Sequence, residues 1–120
     1  MNDEIKTLTQ TRAEFALEKV KEVNNKEYKD KYKTYALKVS SLIVSNGLIP
    51  TLAFLKAKGD RKEVYNTLNE WLKKKKFINQ DALEELVNSD VSRLRLATME
   101  ILEFANWLKR MAEVELGEKE

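Results

Sequence analysis

The sequence predicts an all-α fold, a compact single-domain bundle of about five to six helices spanning residues 1–120. Three observations predict it. Apolar residues recur at the three- and four-residue spacing of a helix face along most of the chain, with no two-residue alternation that would make a strand. The residues that punctuate structure are scarce, at three Gly and one Pro in 120 residues. Two of those Gly and the Pro fall in one stretch, SNGLIPTLAFLKAKGD, residues 45–60, around an almost wholly apolar run. A domain of this length buries roughly two-thirds of its unfolded surface, so a core forms without cross-links.

The first helix is expected over residues 3–23, where Ile5, Leu8, Phe15, Ala16, Val20 and Val23 share one broad face. Arg12 projects to the middle of that face, and Asn24-Asn25 ends the helix. A second helix over residues 27–45 carries Tyr28, Tyr32, Tyr35, Ala36, Val39, Leu42 and Ile43 as a stripe. Asn46 extends the stripe and reads as a helix end whose amide satisfies backbone groups. Gly47 suits a left-handed residue past a helix C-terminus, and Pro50 suits the first turn of the next helix. SNGLIP therefore reads as a sharp helix–helix corner. The helix after it, residues 50–58, is apolar nearly all round and is expected to be buried, with Lys56 and Lys58 where the chain emerges. Gly59 reads as its stop. Asp60 with Glu63 resembles a capping box for a helix over residues 61–75 that buries Val64, Tyr65, Leu68, Trp71 and Leu72. Lys73–Lys76 suits the negative end of that helix dipole. A short helix follows near residues 81–87. Ser89 or Asp90 then caps the longest helix, residues 91–116, ended by Gly117. Its main stripe is Leu94, Ala97, Ile101, Phe104, Ala105, Leu108, Met111 and Ala112. Leu96, Trp107 and Val114 form a second flank, either core or partner surface, with core the simpler reading for a bundle of this size.

Composition narrows the function. There is no Cys, hence no disulfide or thiolate chemistry, and no His, which removes the commonest general base and metal ligand. Neither a Gly-rich phosphate loop nor a nucleophile elbow occurs, and no acidic pair has metal-site spacing. The expectation is a protein that is not an enzyme and holds no cofactor or metal. No apolar run reaches 18 residues and the N-terminus is polar, so a cytoplasmic protein without a membrane span is expected. The net charge of +2 conceals an asymmetry: residues 50–80 hold eight Lys/Arg against three Asp/Glu, whereas residues 81–120 hold five against ten. A basic middle and an acidic final third fit an anionic ligand, head-to-tail contact between copies, or simply solvated faces.

Nucleic-acid backbones reward Lys and Arg spread over one surface. The candidates are Lys56, Lys58, Arg61, Lys62, Lys73–Lys76, Arg93, Arg95, Lys109 and Arg110, any one of which is more simply a plain surface residue. Arg12 stands apart, because an Arg on an apolar stripe is either half of a buried ion pair or a functional group at the core's edge. No arrangement of exposed aromatic rings for base stacking is evident in the sequence.

Four segments, QTRAEFALEKV (10–20), SNGLIPTLAFLKAKGD (45–60), YNTLNEWL (65–72) and RLATMEILEFANWLKRMAEVEL (95–116), together resemble the small subunit of the type III-B (Cmr) CRISPR effector complex. The match covers most of the chain in order and is one of pattern. The resemblance implies a helical, non-catalytic subunit in antiviral defence, whose copies stack in a short filament and help line the groove where guide RNA and target RNA pair. Its implied partners are the large Cmr subunit, the backbone subunits, copies of itself, and guide and target RNA. The basic positions inside matching motifs, and so the implied RNA-binding residues, are Arg12, Lys56, Lys58, Lys109 and Arg110. Two other classes compete: a helical adaptor that binds only proteins, and a stand-alone DNA-binding helix-turn-helix. The latter is disfavoured, because the helix after the corner is too apolar to lie in a groove.

Overall fold

The computed structural model describes residues 5–117, and among them every regular element is a helix. There are seven: α1 Leu8–Val23, α2 Lys29–Ala36, α3 Val39–Asn46, α4 Leu48–Lys56, α5 Gly59–Lys74, α6 Ala82–Val87 and α7 Val91–Glu115. α7 packs against α1, α2, α3 and α5. α5 in turn meets α2 and α4, and α6 closes over α4. Trp71, Tyr32, Tyr65, Phe104, Leu52 and Leu68 are among the largest side chains in the one core they share.

Local chemistry sets the boundaries, and it corrects several expectations. α1 begins at Leu8 because Thr7 and Gln10 form a capping box: Gln10 N donates to Thr7 Oγ1 at 3.0 Å, and Thr7 N donates to Gln10 Oε1 at 2.9 Å. Ile5 therefore lies before the helix, 96% exposed, and Leu8 is only partly covered. The expected start at Asp3 falls outside the described residues.

The single helix expected over residues 27–45 is two. Turns at Leu37 and Lys38 separate them, the i→i−4 bond from Leu37 N to Lys33 O giving way to an i→i−3 bond from Lys38 N to Tyr35 O. Tyr32 and Ala36 stay buried before the turn and Val39 and Ile43 after it, so the stripe survives the break in the helix. α2 packs on α5 and α7, α3 on α7 and α4.

Gly47 has φ +94° and ψ 163°, a conformation that L side chains rarely adopt, and it both ends α3 and precedes α4. A Cβ there would meet Pro50 Cδ at an ordinary 3.7 Å, so the backbone rather than space demands Gly. Pro50 is the third residue of α4, inside the first turn, where its missing N–H is no loss. Asn46 is exposed at the end of α3, and the carbonyl of Gly47 is taken by Thr51 instead, whose Oγ1 donates at 2.8 Å. α4 is not buried all round. Leu48, Thr51, Leu52 and Leu55 face the core, while Ala53 and Phe54 face outward.

Gly59 starts α5 rather than stopping α4. Lys58 is the N-cap and no side chain caps it, so the Asp60–Glu63 box does not form. At the other end Lys76 adopts φ +68°, and Phe77 N donates to Leu72 O at 2.9 Å, the closure of a Schellman-type turn. The short helix and the Asp90 cap of α7 agree with expectation, Asp90 accepting from Arg93 N, and the short helix has a cap of its own in Asp81, which accepts from Glu84 N. The second flank of α7 divides: Trp107 packs partly buried against the core, whereas Leu96 is 55% and Val114 71% exposed and lie outside it.

Candidate nucleic-acid and subunit interface

The five cations singled out from sequence occupy three different environments. Arg12 lies on α1 against α7. Its Nε donates to Glu100 Oε2 at 2.7 Å and its Nη2 to Glu100 Oε1 at 2.8 Å, a bidentate pair. Trp71 Nε1 donates to the same Glu100 Oε2 at 3.0 Å. Trp71 stacks on Phe104 with centroids 4.9 Å apart and planes within 11°, and Phe15 tilts against both rings. The apolar stripe thus holds an arginine because a carboxylate on the facing helix meets it. Burial pushes the Glu100 carboxyl up, but hydrogen bonds from Arg12 and Trp71 outweigh it and hold the group below the ordinary Glu value. The Glu100 bond correspondingly raises the Arg12 pKa.

Lys56 ends α4 and is also engaged. Its Nζ donates to Asp81 Oδ2 at 3.0 Å and sits 5.4 Å from the Tyr65 ring centroid. The Tyr65 hydroxyl donates to Asp81 Oδ1 at 2.8 Å and accepts from Leu83 N at 3.0 Å. Partial burial pushes the Asp81 carboxyl up, yet the Glu84 amide, the Tyr65 hydroxyl and Lys56 more than offset it, leaving the group below its ordinary value. This cluster fastens the loop after α5 to the end of α4.

Lys58, Lys109 and Arg110 are different. All three are exposed, and none has an ion-pair partner among the described residues. Lys109 and Arg110 share a shallow groove with Asn106 and Glu113, beside α3, where Ser40 Oγ donates to Asn106 Oδ1 at 3.0 Å. Lys58 stands at the α4–α5 junction. Lys109 and Arg110 thus line one groove on α7, whereas Lys58 belongs to the α4–α5 junction beside the Lys56–Asp81 pair. Of the remaining candidates, Arg93 is tied to the Phe77 carbonyl through Nε and Nη2.

Two features escaped the sequence. One is an aromatic–cation cluster built from Tyr35, Lys38, Phe54 and Arg61, four residues on or beside α2, α4 and α5. The seven-residue spacing of Phe54 and Arg61 across Gly59 is its only sequence trace, and the geometry of the α4–α5 turn is needed to read it. The other is an apolar groove of about 540 Å³ between the start of α4 and the start of α7, lined by Ile49, Pro50, Val91, Leu94 and Met99 with Arg95 at its rim. No group of three or more acidic side chains among the described residues is placed to hold a metal ion. No helix of the described residues is long and apolar enough to cross a membrane.

Residues 8–115 match the family described as CRISPR-associated protein (Cas_Cmr5). The chain is 35% identical over 119 residues to the CRISPR system Cmr subunit Cmr5 of Thermotoga maritima, covering 97% of this chain and 90% of the relative. It is 33% identical to the protein of the same name from Thermus thermophilus, covering 95% of this chain and 100% of the relative. The crystal structure of a CRISPR-associated Cmr5 family protein, also from Thermus thermophilus, superposes with a TM-score of 0.80 at 29% identity, over 94% of this chain and all of that one. With the family match running from the first helix to the last, this chain belongs to the Cmr5 family of CRISPR-associated proteins.

Proposed function

We propose that this chain, acting as one helical domain, is the non-catalytic small subunit of a type III-B CRISPR ribonucleoprotein in antiviral defence. In this reading it stacks on copies of itself in a short filament, contacts the large and backbone Cmr subunits, and helps line the groove that holds guide and target RNA. The observation that carries the reading is the family match over residues 8–115, joined to cations that the fold leaves unpaired at its surface. Lys58, Lys109 and Arg110 are the RNA-contacting candidates with charge to spare. Arg12 and Lys56 have theirs committed to Glu100 and Asp81, and their first role is to hold the surfaces on which the others stand. The charge split between residues 50–80 and 81–120 supports end-to-end contact between copies, which propagates rather than closing as a two-fold dimer.

A protein-only adaptor is the second reading, favoured by the apolar groove between α4 and α7. Co-purification from native cells separates the two. Recovery of the other Cmr subunits together with guide RNA, and loss of target RNA in the Lys58→Glu/Lys109→Glu/Arg110→Glu variant of an otherwise complete complex, is the expected result. A complete complex that binds target RNA normally with that variant favours the adaptor. Sedimentation of the free chain is expected to show mostly monomer at about 0.1 M salt, where exposed charges are screened over roughly 10 Å. A salt-insensitive two-fold dimer contradicts the stacked arrangement.

A further inference from the structure

Three elements converge at the α4–α5 corner on an arrangement that scattered surface cations do not explain. Tyr35 and Phe54 meet edge to face, centroids 6.1 Å apart at 64°. The Arg61 guanidinium lies over the Phe54 ring, 3.8 Å from its centroid, and 5.8 Å from that of Tyr35. Arg61 Nε donates to the Phe54 carbonyl oxygen at 2.8 Å, which fixes the plane of the group. Lys38 Nζ stands 5.7 Å from the Tyr35 centroid. Phe54 is still 40% exposed.

The charges here are uncompensated. Arg12, Lys19 and Lys56 each meet a carboxylate, at 2.7, 2.5 and 3.0 Å. Neither Arg61 nor Lys38 has such a partner among the described residues, and KAKGDRK, residues 56–62, sets four cations against Asp60 alone. An aromatic ring left half in water and an immobilised, unneutralised guanidinium at the same spot call for a ligand with two properties. It must offer a flat π-face to the ring and guanidinium, and a negative charge to the remaining guanidinium N–H groups and to Lys38. A carboxylate side chain brings the charge without the face. An unpaired nucleotide brings both in one unit, its base for stacking and its phosphate for the cations. A base inside a duplex has its faces occupied by its neighbours, so the ligand is single-stranded.

We propose that Tyr35, Phe54 and Arg61, with Lys38, form a stacking platform for an unpaired nucleotide of RNA. The proposal rests on the RNA-contacting role inferred above, but it names different residues and a different state of the RNA. Each base has a π-face, so the platform is tolerant of sequence.

The probes are a 2-aminopurine-bearing single-stranded RNA and an RNA duplex of equal length, each titrated with the full chain. Wild type is expected to bind the single strand more tightly and to change the 2-aminopurine fluorescence. Phe54→Leu keeps an apolar side chain without the π-face, and Arg61→Lys keeps the charge without the plane. Each is expected to weaken single-strand binding roughly 5- to 100-fold, with duplex affinity and melting temperature little changed. Unchanged single-strand affinity in both variants, an equal loss on both probes, or a fluorescence that does not respond to binding would overturn the platform. If only neutralising Lys58, Lys109 and Arg110 weakens RNA binding, the platform falls while the broader RNA-contacting role stands.

Discussion

Arg12 and Arg61 both lie near aromatic rings, and the fold treats them oppositely. Arg12, between α1 and α7, meets Glu100 at 2.7 and 2.8 Å, and Glu100 also takes the Trp71 N–H. Arg61, at the α4–α5 corner, donates to a backbone carbonyl and stacks on Phe54 with no carboxylate partner among the described residues. The first region spends its charge internally and is part of the core. The second keeps its charge toward solvent. One carboxylate on a facing helix therefore divides a cation that holds the fold from a cation free to hold a ligand.

The largest effect that would break this contrast is at Glu100. Glu100→Ala strands the Arg12 guanidinium and the Trp71 N–H, and is expected to cost about 3–5 kcal/mol in denaturant unfolding. Replacing both charges, as Arg12→Met with Glu100→Leu, should cost far less, because the penalty lies in the orphaned partner. A small loss in the single variant would place the network outside the core. The same carboxylate sets a pH dependence. Its pKa is held below the value in the unfolded chain, as is that of Asp81, so the unfolded state takes up protons first on acidification. The stabilisation from both groups is complete above about pH 5 and declines as pH falls through the ordinary carboxylate range near 4. A melting temperature that does not fall between about pH 5 and pH 3 contradicts this.

Smaller effects sharpen the second region. Gly47→Val, at φ +94°, should lose roughly 1–2 kcal/mol or more, and a melting temperature unchanged within error would mean the corner has ordinary geometry. Lys76→Gly, at φ +68°, should gain about 0.5–1 kcal/mol. Arg61→Lys should change stability by no more than about 1–2 kcal/mol, since an exposed cation–π contact and an exposed hydrogen bond to the Phe54 carbonyl are lost. A larger loss would make Arg61 a structural residue like Arg12.

How much of this was legible in the sequence depended on range. The helix faces, the Asp90 cap and the Gly47–Pro50 corner follow from spacing within a few residues. Misplaced boundaries arose where two local signals competed. Thr7–Gln10 outranks the apolar Ile5 in starting α1, Gly59 begins a helix rather than ending one, and the stripe across residues 37–38 continues although the helix does not. The partner of Arg12 lies 88 residues away. Sequence narrowed that residue to an ion pair or a functional group, and the packing of α1 on α7 supplies the carboxylate. The Tyr35–Phe54–Arg61 cluster was missed because rings on separate helices meet only once α2, α4 and α5 are packed. Leu96 and Val114 are exposed for a related reason: the other apolar stripe of α7, buried from Ala97 to Ala112, is the one that faces the core.

The central claim is that unpaired surface cations, not the internally paired ones, contact RNA in the assembled complex. The direct measurement is the salt dependence of target-RNA affinity for the complete complex carrying Lys58→Ala, Lys109→Ala and Arg110→Ala, against wild type. If each residue neutralises a phosphate, the log–log slope should shrink by roughly two to three, with affinity reduced most at low salt. An unchanged slope and affinity in a fully assembled complex would contradict the account.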